Sequence, residues 1–142
     1  MRPLSRLART WPWLVLAGLA AGPAVAAPAD VTIELNKVEP QGDSCRAYFV
    51  VRNTGGPALD TLKIDVFAFD RQGIVARRLA LELGPSPVGK TSVRLFDVGL
   101  PCDKLGSLLL NDVLACQAAG APVADCAARL GLGTRTDVDF SR

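Results

Sequence analysis

The chain has 142 residues, with 16 basic and 14 acidic side chains, four cysteines and no histidine. A formal charge of only +2, with no Lys/Arg run longer than the pair Arg77-Arg78, leaves no electrostatic footprint for nucleic acid or anionic lipid. Without an imidazole the chain also lacks the usual proton shuttle near neutral pH and the commonest nitrogen ligand for metals.

The N-terminus carries Arg2, Arg6 and Arg9 without an acid, then the apolar run WPWLVLAGLAA from Trp11 to Ala21, then GPAVAAPAD. Basic flank, short apolar core and small residues at Ala24 and Ala26 mark residues 1–26 as a secretory signal peptide cleaved after Ala26. The apolar core falls short of the ~20 residues that span a bilayer, and Pro12, Gly22 and Pro23 interrupt it. The expectation is a periplasmic or secreted protein with no stable membrane span after cleavage. Loss of the three arginines moves the formal charge of the remaining domain, residues 27–142, to about −1, again without a field for polyanions.

The remainder reads as strands separated by turns. VTIELNKVEP (Val31 to Pro40) alternates apolar and polar residues and ends at the turn QGD. CRAYFVVRN (Cys45 to Asn53) places Cys45, Ala47, Phe49 and Val51 on one face, and TGGP breaks it. LKIDVFAFD (Leu62 to Asp70) puts Leu62, Ile64, Val66 and Ala68 opposite Lys63, Asp65, Phe67 and Phe69. DRQG forms a hairpin turn into IVARRLALEL (Ile74 to Leu83), in which Val75, Arg77, Leu79, Leu81 and Leu83 share a face. GPSPVG (Gly84 to Gly89) then reads as a Pro/Gly hairpin, with Gly89 at positive φ, into KTSVRLFDV (Lys90 to Val98).

LGSLLLNDVLAC (Leu105 to Cys116) fits a strand or a helix; the bounding Gly106 and Pro101 favour a strand. The Ala-rich stretch from Gln117 to Gly133 reads as a loop with one helical turn around Ala124 to Leu130, and TRTDVDF (Thr134 to Phe140) as a last alternating strand. Seven short strands without a long helix predict an all-β fold, a seven-stranded antiparallel immunoglobulin-like β-sandwich.

Cys45, Cys102, Cys116 and Cys126 all follow the signal peptide, where thiols oxidise, and two structural disulfides are expected. Four cysteines allow three connectivities. In an up-down sandwich the second and sixth strands begin at the same pole. Cys45 opens the second and Cys102 precedes the sixth, which favours Cys45–Cys102 with Cys116–Cys126. The rival is an intersheet Cys45–Cys116 bond.

GPSPVGKT, Gly84 to Thr91, matches G-x-x-x-x-G-K-[ST], but a phosphate loop opens a helix whose first N–H groups face the phosphates. Here a strand follows, and Pro85 and Pro87 each remove an N–H. Gly84, Gly89, Lys90 and Thr91 are therefore read as a chance match, and no nucleotide is expected.

VRNTGG, FAFDRQGIV and the P-x-G-K-T-S-V stretch resemble the extracytoplasmic sandwich modules of the FxLYD type. GIVARRLALELGPSPVGKTSVRLFDVGLPC and LLLNDVLAC resemble a group of uncharacterised secreted proteobacterial small proteins often labelled as Tat pathway signal sequence domain proteins, although paired arginines are missing here. The resemblance implies a secreted β-sandwich and carries no activity, cofactor or catalytic residue.

An inventory of reactive groups points away from catalysis. Ser86, Ser92 and Ser107 have no visible base, and G-x-S-x-G is absent. Asp137 with Asp139, two apart on the last strand, and Asp65 with Asp70 are the available carboxylate pairs. The first is a weak calcium-site candidate, and Asp70 is expected to cap its own turn. The reading is an exported, non-catalytic interaction module without a cofactor, binding an unknown envelope protein through Phe67, Phe69 and Arg77; a calcium- or glycan-binding domain is the alternative.

Overall fold

Period-two alternation from Val31 onward builds nine strands: β1 (Val31–Gln41), β2 (Ser44–Asn53), β3 (Thr61–Asp70), β4 (Val75–Glu82), β5 (Thr91–Asp97), β6 (Leu105–Ala118), β7 (Ala121–Pro122), β8 (Leu130–Thr134) and β9 (Asp139–Ser141). The computed structural model describes residues 22–23 and 29–142; the expected signal peptide, apart from Gly22 and Pro23, lies outside the described residues. Among these, no helix is long and apolar enough to cross a membrane.

Two sheets enclose one core. The first has the order β5-β2-β1-β8, and the second runs β4-β3-β6 with both β7 and β9 paired to β6. Ile33, Leu35, Ala47, Phe49 and Val51 from the first sheet meet Leu62, Ile64, Val66, Leu108 and Leu110 from the second, all nearly inaccessible to water. The Phe49 ring lies edge-on to Phe140 of the second sheet at 5.4 Å and to Phe96 at 6.0 Å, within the range favoured by aromatic quadrupoles.

The expectation of seven antiparallel strands needs correction. Nine strands are present among the described residues and both sheets are mixed, because β8 runs parallel to β1 and β9 parallel to β6. TRTDVDF is not one strand. The Thr134 hydroxyl accepts the Thr136 N–H, and the Thr136 hydroxyl accepts the Val138 N–H. These local bonds compete with ladder pairing and turn the chain from the first sheet into the second. LGLGT, read as loop, is β8: Leu130 and Leu132 sit opposite Val31 and Ile33, while Gly131 and Gly133 face outward beside Thr32 and Glu34. The expected helical turn is a single 3-10 turn, Cys126–Arg129.

The stretch Gly84 to Gly89 is also not a hairpin. It carries the chain from β4, paired with β3, across to β5, paired with β2 in the other sheet. Arg94 points inward from edge strand β5 and closes that side: its guanidinium donates to the carbonyls of Leu83, Gly84 and Pro85 at 3.2 to 3.3 Å. An inward charge on an edge strand also discourages unwanted strand pairing.

Cys45 is bonded to Cys102 and Cys116 to Cys126. The first pairing follows from β2·β5: the Val98 N–H donates to the Cys45 carbonyl at 2.9 Å, so the segment leaving β5 carries Cys102 past the start of β2. The second ties the end of β6 to the 3-10 turn.

Candidate functional site

The outer face of the second sheet holds the main cluster of unexpected chemistry. Register places Phe67 beside Arg78 of β4 and Leu109 of β6, and Phe69 beside Val75 and Ser107. Between them and Lys63 lies Asp65, whose side chain is only 2% exposed although it points away from the core. Arg78 donates Nε to Asp65 Oδ1 at 2.8 Å and Nη2 to Oδ2 at 3.2 Å, while Asn111 Nδ2 donates to Oδ2 at 2.9 Å. Arg78, with the Asn111 amide adding to its effect, holds the Asp65 carboxyl below the usual carboxylate range, against the opposing effect of burial. The same guanidinium lies 5.6 Å from the Phe67 ring centre, a cation–π distance. The face therefore presents one cation in a fixed place over an aromatic ring, itself 64% exposed at the side chain.

Arg77 does not belong to this face. It pairs with Ala68 on the core side and donates to the Gly99 carbonyl at 2.9 Å, joining β4 to the loop after β5. A bulge at Ala76, between the pairs Ala68–Arg77 and Phe69–Val75, inverts the faces beyond it, so Val75, expected on the core face with Leu79 and Leu81, turns outward, 53% exposed, while Arg77 keeps the core-side place that alternation gave it. Arg78 is the cation that Phe67 and Phe69 share a face with. Sequence inspection had one available signal, since period two counted from Leu79 and Leu81 already puts Arg78 opposite the core.

The other expected carboxylate pairs do not converge. Asp70 accepts the N–H groups of Gln72 and Ile74 at 2.9 Å and so caps its own turn, while Asp65 is taken by Arg78. Asp137 precedes β9 in a bend and lies 3.8 Å from Arg71, whereas Asp139 opens the strand beside Ser107. The two do not share one strand face, and the described residues contain no group of three His, Cys, Asp or Glu side chains suited to a metal.

Most of the GPSPVGKT amides are engaged by backbone carbonyls, chiefly of neighbouring segments. The N–H groups of Gly84, Ser86, Gly89 and Lys90 go to the carbonyls of Leu62, Leu59, Asn53 and Pro87; Gly89 has φ of 75°, and β5, not a helix, follows. The organiser is Asn53, 1% exposed, which sequence reading passed over as a strand end. Its Nδ2 donates to the carbonyls of Pro57 at 2.8 Å and Ser86 at 2.9 Å, and its Oδ1 accepts the Gly56 N–H at 3.2 Å. Amides held in this way are not free to surround a phosphate.

A second feature flanks the outer face. Along the edge of β6 away from β3, β9 covers Ser107 to Leu109 and β7 covers Gln117 and Ala118. Between them a cavity of about 450 Å³ opens, with Asp112 to Gln117 as one wall and the segment from Pro122 to Ala127 as the other. A smaller hollow of about 260 Å³ lies over Gly131 and Gly133, bordered by Glu34 and Arg52. No family model, curated protein or solved structure matches the chain.

Proposed function

We propose that the chain is an exported, disulfide-stabilised, non-catalytic β-sandwich of immunoglobulin-like type that serves as a protein-interaction module of the cell envelope, periplasmic or secreted. Export is supported by the N-terminal sequence, and the two disulfides are compatible with it. The kinship with FxLYD-type modules belongs to the same proposal and rests on the motifs quoted above.

One observation carries the interaction reading: Arg78 is fixed over Phe67 by a carboxylate buried on the solvent side of a sheet. The core lies on the opposite face, so this ion pair contributes no core packing. Removing a carboxylate from water has a cost that pairing only offsets. Arginine and aromatic side chains held in place are the groups that dominate protein interfaces. The calcium and glycan alternative has no comparable arrangement, because Asp137 and Asp139 are not brought together.

The test is site-specific photocrosslinking in intact cells. A photoreactive phenylalanine at position 69 is expected to trap a discrete partner, and the same probe at Lys90 is not. Arg78→Ala should abolish the adduct at 69; the thermal transition should fall, because Asp65 loses its main partner, but the variant should keep the circular dichroism of the parent at the labelling temperature. Equal adducts at both positions, or an adduct at 69 indifferent to Arg78→Ala, would refute recognition through this face.

A further inference from the structure

We infer that the notch along β6, between the ends of β9 and β7, receives an extended peptide segment of a partner protein carrying a lysine or arginine next to an apolar residue. The inference rests on the interaction-module reading and names the partner's chemistry. Residues 110–116 of β6 are paired with β3 on one side, but among the described residues no strand pairs with them on the other. An extended chain laid there would continue the sheet, in the manner of strand addition. Seven residues at ~3.3 Å each, shortened by bulges at Asn111 and Leu114, accommodate about five residues of ligand.

The flanks decide the occupant. A second folded copy would have to bring a long edge such as β5 against a site closed at both ends by β9 and β7, whereas a loose segment fits between them. The far wall is fixed: Cys116–Cys126 staples it to β6, and the Val123 N–H donates to the Cys116 carbonyl at 3.0 Å. The lining charge is all of one sign, from Asp112 and Asp125. Neither forms an ion pair among the described residues. The nearby guanidinium of Arg142 is taken by the carbonyls of Ala127 and Leu130, and that of Arg129 by Asp30. Leu114, 46% exposed, supplies apolar contact beside the acids, hence a basic residue adjoining an apolar one.

The experiment is an NMR titration of the oxidised protein with the capped peptide Val-Lys-Val-Lys-Val. Controls are its Glu-for-Lys analogue and an analogue N-methylated at the central valine, which keeps the charge but loses a ladder donor. The expected result is saturable shifts of the amides from Asp112 to Cys116 and of Val123, with Kd below about 1 mM. Asp112→Asn with Asp125→Asn retains side-chain shape, including the Oδ1 that accepts the Val113 N–H, and should weaken binding about tenfold; both peptide controls should weaken it at least as much. Absent shifts, unchanged binding by the double variant or the N-methylated peptide, or shifts confined to Phe67 and Phe69 would overturn the notch. The photoadduct at position 69 is an independent readout, so loss of the notch with that adduct retained would leave the module reading intact.

Discussion

Replacement of Asn53 by alanine tests the account of the Gly84 to Thr91 segment most directly. The side chain makes three bonds, two donated and one accepted, at 2.8, 2.9 and 3.2 Å, from a position 1% exposed. At a net value of about 1 kcal/mol for each bond, the loss is about 3 kcal/mol. The Ser86 carbonyl keeps its second donor, the Leu59 N–H, so it is not left orphaned. For a domain of this size about 3 kcal/mol lowers Tm by roughly 10–15 °C, a large part of a total stability of ~5–15 kcal/mol. Asn53→Asp keeps the acceptor for Gly56 but turns a carboxylate oxygen toward the Pro57 and Ser86 carbonyls, and is expected to be worse than alanine despite its matching shape. Urea unfolding with disulfides intact gives the free energies, and hydrogen exchange of the Gly89 and Lys90 amides reports the segment. A change under about 0.5 kcal/mol for Asn53→Ala, the ordinary range of surface substitutions, or an aspartate variant more stable than the alanine one, would refute the reasoning.

The remaining expectations concern staples and protons. By loop entropy, Cys45–Cys102, spanning 57 residues, contributes about 4 kcal/mol, and Cys116–Cys126, spanning 10, about 3 kcal/mol. Replacing the first pair by alanine should therefore lower the urea midpoint more than replacing the second, and the reverse order would contradict this assignment. Stability should also decline in acid. Asp65, held mainly by Arg78, and Asp97, held mainly by the Ser44 hydroxyl and then the Gly99 N–H, both have folded pKa values below their usual ones. The unfolded chain therefore binds these protons more readily; the stabilisation is complete above the ordinary carboxylate pKa of about 4 and disappears as pH falls through the lower folded values. Urea midpoints at pH 7 and about pH 3 should differ more for the parent than for Asp65→Asn, and equal differences would remove Asp65 from this role.

Local alternation was enough to mark the strand from Cys45 to Asn53, its inward Ala47, Phe49 and Val51, and the strand from Leu62 to Asp70, because a side chain's face depends only on parity along an extended chain. The same parity showed that no helix opens at Lys90, which decided against a phosphate loop. Counting strands alternately up and down, with the ambiguous Leu105 stretch taken as a strand, placed Cys45 and Cys102 at one pole. What parity cannot supply is the partner. The bulge at Ala76 exists only as a count of residues against β3, and it moved Val75 outward beside Phe69, while pairing with β3 set Arg78 beside Phe67. Burial of Asp65 required Arg78 and Asn111 from two other strands to cover it, and the path from β4 to β5 depended on Asn53, some thirty positions earlier in the chain. The notch on β6 is likewise a product of where β7 and β9 stop pairing. Local sequence decides where the chain is extended and which residues avoid water; long-range hydrogen bonding decides which extended segments become neighbours, and the candidate surfaces are built from those neighbours.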